Sequence, residues 1–446
     1  MTPSPISSLL RAAFTDALRE VAGDRVVAAH LRATPLRSDS PVWVVALGKA
    51  APEMMRGAAE VLGSQIQGAF VVSREDCLAE SELDFGFPLE VHAGGHPQVS
   101  AASLAAGEAL LAFLERAPAS GQLLFLISGG ASALVEVLRP GVTLEDARRL
   151  THEAFAAGWG IGQLNALRSR FSQIKGGGLW QFCAAREVTE LLISDVPNDD
   201  PQVIASGLLH FQYDQKKVVQ LTDSQLPEWI RKVLIINSQP NDSKTEFPEK
   251  FDSFLVASNR ALRTALKASL RAKFLNFFPD SAKALAMEIE DEGLLPATFA
   301  EALACLEQEI REGVAAAYSH NKMRVKIWGG EVPVALPKEP GRGGRARHLA
   351  LAVAERLVGV PGWCLLAAAT DGSDGSDLQA GAVVDGATAA QAEFAGQSME
   401  AALAMADSGS LLARLSLDFA TGPTGTNVMD VFVLVCGATE ASSRMG

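Results

Sequence analysis

Several turns of this sequence set small hydrogen-bonding or charged residues directly after short apolar runs, where they could handle an anion. Gly48-Lys49-Ala50-Ala51 follows the run at 42–47. A lysine at a strand-to-helix turn puts positive charge beside an anion held on the helix N-terminus, with an ordinary surface lysine as the even alternative. Ser128-Gly129-Gly130-Ala131-Ser132 follows another apolar run. Its backbone N–H groups could cradle a phosphate, although it fits neither the Walker pattern nor GxGxxG and a structural turn explains it as well. Asn165, Arg168 and Ser172, three and four residues apart, share one helix face, and Lys175 runs into Gly176-Gly177-Gly178. These side chains suit an anion site or a solvated helix surface.

Ser194-Asp195-Val196-Pro197-Asn198-Asp199-Asp200 brings three carboxylates into one loop. That suits Mg²⁺, which takes one or two carboxylates plus waters and phosphate oxygens. One of them could instead accept a hydroxyl proton, or the loop is a polar turn with a helix cap. Asp371 and Asp374 in Thr370-Asp371-Gly372-Ser373-Asp374-Gly375-Ser376-Asp377, and Glu331 after Gly329-Gly330, add further candidates. The densest cluster is Thr421-Gly422-Pro423-Thr424-Gly425-Thr426-Asn427-Val428-Met429-Asp430, which runs into an apolar strand. Glycine permits tight bends and close approach there, and hydroxyls can receive an anion. His96-Pro97 shapes a turn and His348 begins a helix. No histidine joins a metal pair or a Ser/His/Asp set, and no GxSxG elbow appears.

Positioning these turns requires a sheet. Apolar β-rich runs at 42–47, 69–73, 123–128, 190–194, 254–257, 324–328, 364–369 and 431–435 predict strands. Between them, 52–62, 101–116, 144–155, 259–272, 282–290 and 349–358 predict helices. Continuously apolar strands separated by helices indicate a largely parallel sheet covered on both faces, with ligands beyond the carboxyl ends of the strands. The polar stretch at 239–246 reads as a solvent loop, and the basic glycine-rich stretch 337–345 as a functional one. The expected boundary lies before Arg324, dividing the chain into 1–320 and 321–446.

The 446 residues are 48% hydrophobic and 20% charged, as in an ordinary soluble globular protein. A formal charge of −13 argues against nucleic-acid and anionic-membrane partners. Five scattered cysteines without a CxxC pair give neither a zinc site nor a disulfide framework. The N-terminal pattern is amphipathic rather than a secretory signal, and no run is long enough to span a bilayer, so a cytoplasmic protein is expected.

Taken in order, these turns resemble the glycerate 2-kinase family, whose C-terminal part is the MOFRL domain. The resemblance covers about residues 9–435. It rests on Gly48-Lys49-Ala50-Ala51, His96-Pro97, Ser128-Gly129-Gly130-Ala131-Ser132, Asn165 with Arg168, and residues 172–177. Ser194-Asp195-Val196-Pro197, Ile204-Ala205-Ser206-Gly207, Gly329-Gly330-Glu331, Gly343-Gly344-Arg345, Thr370-Asp371-Gly372 and residues 421–428 complete it. Each motif alone is weak; their order is specific.

The resemblance implies an α/β fold of two Rossmann-like domains with mostly parallel sheets and an interdomain cleft. It implies transfer of the γ-phosphoryl group of ATP, with Mg²⁺, to the 2-hydroxyl of D-glycerate or a closely related small hydroxy acid, with a homodimer as the candidate assembly. Lys49 and Arg345 would stabilise phosphate charge. Ser128, Gly129, Gly130 and Ser132 would cradle an anion, and Asn165, Arg168 and Lys175 would hold the substrate carboxylate or a phosphate. Asp195 would be the base or a metal ligand, with Asp371 as a second metal candidate and Glu331, Thr424 and Asn427 completing the site. The chain departs from the family pattern at several points. Gln98-Val99-Ser100 replace a proline and an acidic residue, Leu208-Leu209 a Pro-Thr, and Ala346-Arg347-His348 an Asn-Gln-Glu. Ser376-Asp377-Leu378 stand for Pro-Thr-Asp, and Ala406-Asp407-Ser408 for Asn-Asp-Ser. The third of these exchanges suggests a more basic surface. A silent nucleotide-binding paralogue and a hydroxypyruvate reductase are the alternatives; for the reductase no GxGxxG follows an early strand.

Overall fold

The computed structural model describes residues 4–36, 40–79, 83–156, 161–183, 186–211, 226–236, 250–277, 287–320, 322–375 and 377–437. The stretch 239–246 and Ser376 lie outside them. Contacts divide the chain into two units. One comprises Ala22–Ala257 with Gly425–Asn427; the other comprises Met1–Val21, Ser258–Thr424 and Val428–Gly446. The boundary expected at 320/321 therefore falls inside the second unit. Helix Asn259–Phe277 buries Leu262, Leu266, Leu270 and Phe274 against the later half of the chain and against helix Pro5–Glu20. Helical composition marked a break where packing makes none.

In the first unit β1 (Val42–Leu47), β2 (Ile66–Ser73), β3 (Leu89–Ala93), β4 (Gln122–Ile127), β5 (Glu187–Ile193) and β6 (Phe251–Ala257) form one six-stranded sheet in the order β3-β2-β1-β4-β5-β6. Every pairing in it is parallel. The central strands are apolar throughout because helices cover both faces. Val45, Leu47, Phe70, Phe113 and Phe125 lie at the heart of the core. Helix Ala101–Arg116 starts at a capping box in which Ser100 Oγ accepts from Ser103 N at 3.2 Å.

The second unit holds β7 (Glu288–Leu294), β8 (Arg324–Gly330), β9 (Trp363–Ala369), β10 (Gly381–Asp385), β11 (Asp418–Phe419) and β12 (Asp430–Cys436), in the order β11-β10-β9-β12-β8-β7. Here the expectation of a mostly parallel sheet fails. Only β7 and β8 pair in parallel; the other pairings are antiparallel. β9 and β12 are buried along their whole length. An unbroken apolar run reports that both faces are covered, and this sheet is covered with a single parallel crossover among the described residues, between β7 and β8. The expected helix 282–290 is also corrected: residues 288–290 open β7, an acidic edge strand, and 282–286 lie outside the described residues. Among the described residues no helix is long and apolar enough to cross a membrane.

Candidate active site

The order of the parallel sheet reverses direction between β1 and β4, and crevices at such switch points are where open α/β sheets receive ligands. Leu47 is in register with Ile127, so the two turns that follow leave the sheet side by side. Lys49 N donates to Gly129 O at 2.9 Å, and Ser128 N to Leu47 O at 2.9 Å. Ser128 is fully buried, and its Oγ accepts from Ala50 N at 3.0 Å. Its hydroxyl thus fixes the Lys49 turn instead of meeting a ligand. Gly48 has φ 123, and a Cβ there would lie 2.2 Å from Ser128 Oγ, so only glycine fits.

Gly129 lies against two side chains from distant parts of the sequence. A Cβ on it would sit 2.0 Å from Asp195 Oδ2 and 2.2 Å from Asn427 Nδ2. Asn427 Nδ2 donates to Asp195 Oδ2 at 3.2 Å. A Cβ on Gly130 would meet Lys49 Cγ at 3.1 Å and His96 Cδ2 at 3.3 Å. Lys49, Gly129, Gly130, Asp195 and Asn427 therefore converge, bringing one ammonium, one carboxylate and one amide around a glycine backbone.

Gly130 also borders a pocket of ≈ 180 Å³, whose polar lining includes Gln98, Ser132, Arg148, Thr151 and Arg168. No carboxylate lines it. Arg168 Nη2 reaches Thr151 Oγ1 at 3.4 Å, a long contact for a group with five donors, and the guanidinium makes no ion pair among the described residues. Burial lowers its pKa, with the charge of Glu136 pulling the other way. Ser132 Oγ lies 2.7 Å from Ser206 Oγ, and Asn165 is buried, its carbonyl accepting from Ser169 Oγ at 2.9 Å.

Lys175 lies elsewhere than expected. It is 2% exposed, its ammonium pairs with the buried Glu136, and it does not line the pocket. Ser172 Oγ donates to the other Glu136 oxygen at 2.6 Å. Burial lowers the Lys175 pKa, against the pull of Glu136. Sequence reasoning passed over Glu136, although a lone acid inside the apolar run 133–138 signals a buried, paired charge.

In the second unit Arg345 opens helix Arg345–Arg356. Its Nε donates to Asp430 Oδ2 at 2.6 Å, and its Nη2 to Asp430 Oδ1 at 3.3 Å and to Glu331. Burial works against its charge, but Asp430 and then Glu331 outweigh burial and raise its pKa. Thr424 Oγ1 donates to the Thr370 carbonyl, and Asp371 Oδ1 accepts from Ser373 N at 3.0 Å, closing a local turn. The basic surface suggested by Ala346-Arg347-His348 does not form, since all three are buried. Arg347 is 0% exposed; its Nε donates to Asp374 Oδ2 at 3.0 Å and its Nη2 to Asp377 Oδ1 at 2.6 Å. Asp374 also accepts from Ala346 N at 3.0 Å and Arg347 N at 2.9 Å, capping the helix.

Among the described residues no three His, Cys, Asp or Glu side chains group to hold a metal ion. Asp195 beside the Asn427 amide still fits Mg²⁺, because that ion takes one or two protein oxygens and fills the rest of its shell with phosphate oxygens and water.

Residues 9–234 match a family described as a domain of unknown function, DUF4147, and residues 324–430 match the MOFRL family. The D-glycerate 2-kinase of Thermotoga maritima is 30% identical over 404 residues, covering 88% of this chain and 90% of that protein. The glycerate 2-kinase of Pyrococcus horikoshii is 29% identical over 407 residues, covering 88% and 87%. The crystal structure of the T. maritima glycerate kinase superposes with a TM-score of 0.77 at 28% identity, covering 97% of this chain and 100% of that one.

Proposed function

The chain belongs to the glycerate 2-kinase family, and from that premise we propose that it transfers the γ-phosphoryl group of ATP to the 2-hydroxyl of D-glycerate. The observation that carries the reading is the convergence of Lys49, Gly129, Gly130, Asp195 and Asn427 at the β1/β4 switch point, beside a pocket with an unneutralised arginine. Phosphoryl transfer needs positioning and charge neutralisation more than covalent chemistry, and this arrangement supplies both. The 2-hydroxyl oxygen forms a bond to the γ-phosphorus while the bond from that phosphorus to the bridging oxygen of ADP breaks. Asp195 accepts the hydroxyl proton, and Asn427 orients the Asp195 carboxylate. Lys49 stabilises charge on the transferring group, and the Gly129–Gly130 backbone lets the phosphate approach closely. Arg168 holds the glycerate carboxylate, and Lys175 holds Glu136 so that this acid does not neutralise Arg168. Arg345 retains its Nη1 for a nucleotide phosphate oxygen. Asp195 with the Asn427 carbonyl would hold Mg²⁺, which when bound with ATP neutralises charge on the phosphate oxygens.

The test supplies the protein with ATP-Mg²⁺ and D-glycerate, couples it to enolase without phosphoglycerate mutase, and follows phosphoenolpyruvate. A signal that depends on the protein is expected, because enolase accepts only the 2-phosphate. No signal, with enolase verified on authentic 2-phosphoglycerate, overturns the reading.

A further inference from the structure

The pocket beside Gly130 carries more positive charge than one monocarboxylate needs. Arg168 lies on one side of Thr151, and Arg148 stands three residues before Thr151 on the same helix, so about one turn (~5 Å) separates them along that helix. Arg148 Nε donates to the Val99 carbonyl at 3.1 Å, while its two terminal nitrogens make no hydrogen bond among the described residues. Glu136, whose charge reaches Arg168, is already paired with Lys175. The loop after His96-Pro97 holds Gln98, Val99 and Ser100, all neutral. Ser100 caps helix Ala101–Arg116 with its hydroxyl, so the helix start brings no negative charge to the rim. Two arginines thus face a small cavity with no carboxylate in its lining. Its ≈ 180 Å³ is enough to admit a small acid.

We propose that this pocket selects 2-hydroxy dicarboxylates, with Arg168 binding the carboxylate next to the hydroxyl and Arg148 the second carboxylate. Gln98 is the residue that keeps the rim open to that second charge. The proposal rests on the kinase reading above and leaves the transfer step unchanged; it names the acceptor class of the same site.

The test is calorimetric titration of the full chain with 2-hydroxypropanedioate and, separately, D-glycerate, alongside ADP release measured with each acid. The dicarboxylate is expected to bind at least about tenfold more tightly, the gain of one charge-assisted contact. Gln98→Glu, nearly isosteric, should cut the ratio of dicarboxylate to glycerate affinity about tenfold, and Arg148→Ala should cut it similarly, with thermal melting confirming that both variants fold. Equal affinity for the two acids, or a ratio unmoved by Gln98→Glu, overturns the proposal. Absence of ADP release with either acid strikes the kinase reading instead, and calorimetry still ranks the acids in that case.

Discussion

Arg347 is fully buried and Arg168 partly so, and the two regions treat them in opposite ways. Arg347 in the mixed-sheet unit is enclosed by Asp374 and Asp377 and lies at the root of a helix that Asp374 also caps. Arg168 in the parallel-sheet unit has one long contact to a threonine and faces a cavity. A buried charge must be compensated, by the protein or by something it binds. Where the fold supplies the counter-charge, the arginine is a brace; where it withholds it, the arginine waits for an anion. Lys175 repeats the first pattern within the second region, since Glu136 takes its charge.

This contrast predicts which substitutions cost stability and which cost activity. The largest effect should come from Arg347→Ala, which strands the buried Asp374 and should lower unfolding free energy by about 3–5 kcal/mol in urea titration. A loss below ~1 kcal/mol would make Arg347 no brace at all. Arg168→Gln should leave stability within about 1 kcal/mol while lowering kcat/KM for glycerate by roughly a hundredfold or more. If the melting temperature falls as it does for Arg347→Ala, the distinction between the two arginines collapses. Lys49→Ala should lower kcat at least about a hundredfold, as loss of a transition-state charge contact does, with substrate binding the lesser change; a near-normal rate would remove Lys49 from the transfer step. The smallest effect should be a gain. Ala406 holds φ 50, a left-handed conformation that suits the asparagine of the family pattern better than alanine. Ala406→Gly should raise unfolding free energy by about 0.5–1 kcal/mol, and no gain would mean that local contacts already offset the strain.

Much of this was legible in the residues. The strands read from apolar runs are the inner strands of both sheets except β10, together with the edge strand β6, and their ends were found to within a few residues. The strands missed are β3, β7, β10 and β11, which are short, partly polar or at sheet edges. Edge strands face solvent and carry charge, so the apolar run that marks an inner strand is missing from them. At the site, glycine-rich turns after strands and the family resemblance singled out Lys49, Gly129, Gly130, Asp195 and Asn427, and the structure places these five as neighbours. Pairing was not legible. Nothing in Lys175 or Arg347 by itself tells that each meets a carboxylate, because the partners Glu136, Asp374 and Asp377 lie some 30 to 40 residues away in sequence. The pocket residues Arg148 and Thr151 escaped for a similar reason: a cavity is a property of packing, and no motif marks it.

The division of the chain also has a consequence for how the protein is made. Helix Pro5–Glu20 leaves the ribosome before the strands of either sheet, but its apolar face of Leu9, Leu10, Phe14 and Leu18 belongs to the later unit, and Asp16 is held by Lys273 at 2.7 Å. At ~5–20 residues per second, its partner helix Asn259–Phe277 follows on the order of ten to fifty seconds later. Throughout that interval the nascent chain carries a greasy helix with nowhere to dock. The parallel-sheet unit takes shape meanwhile, and lacks Asn427 until strands β7 to β11 of the other unit have been made. Synthesis of residues 425–436, rather than collapse of either half on its own, is the event that completes both.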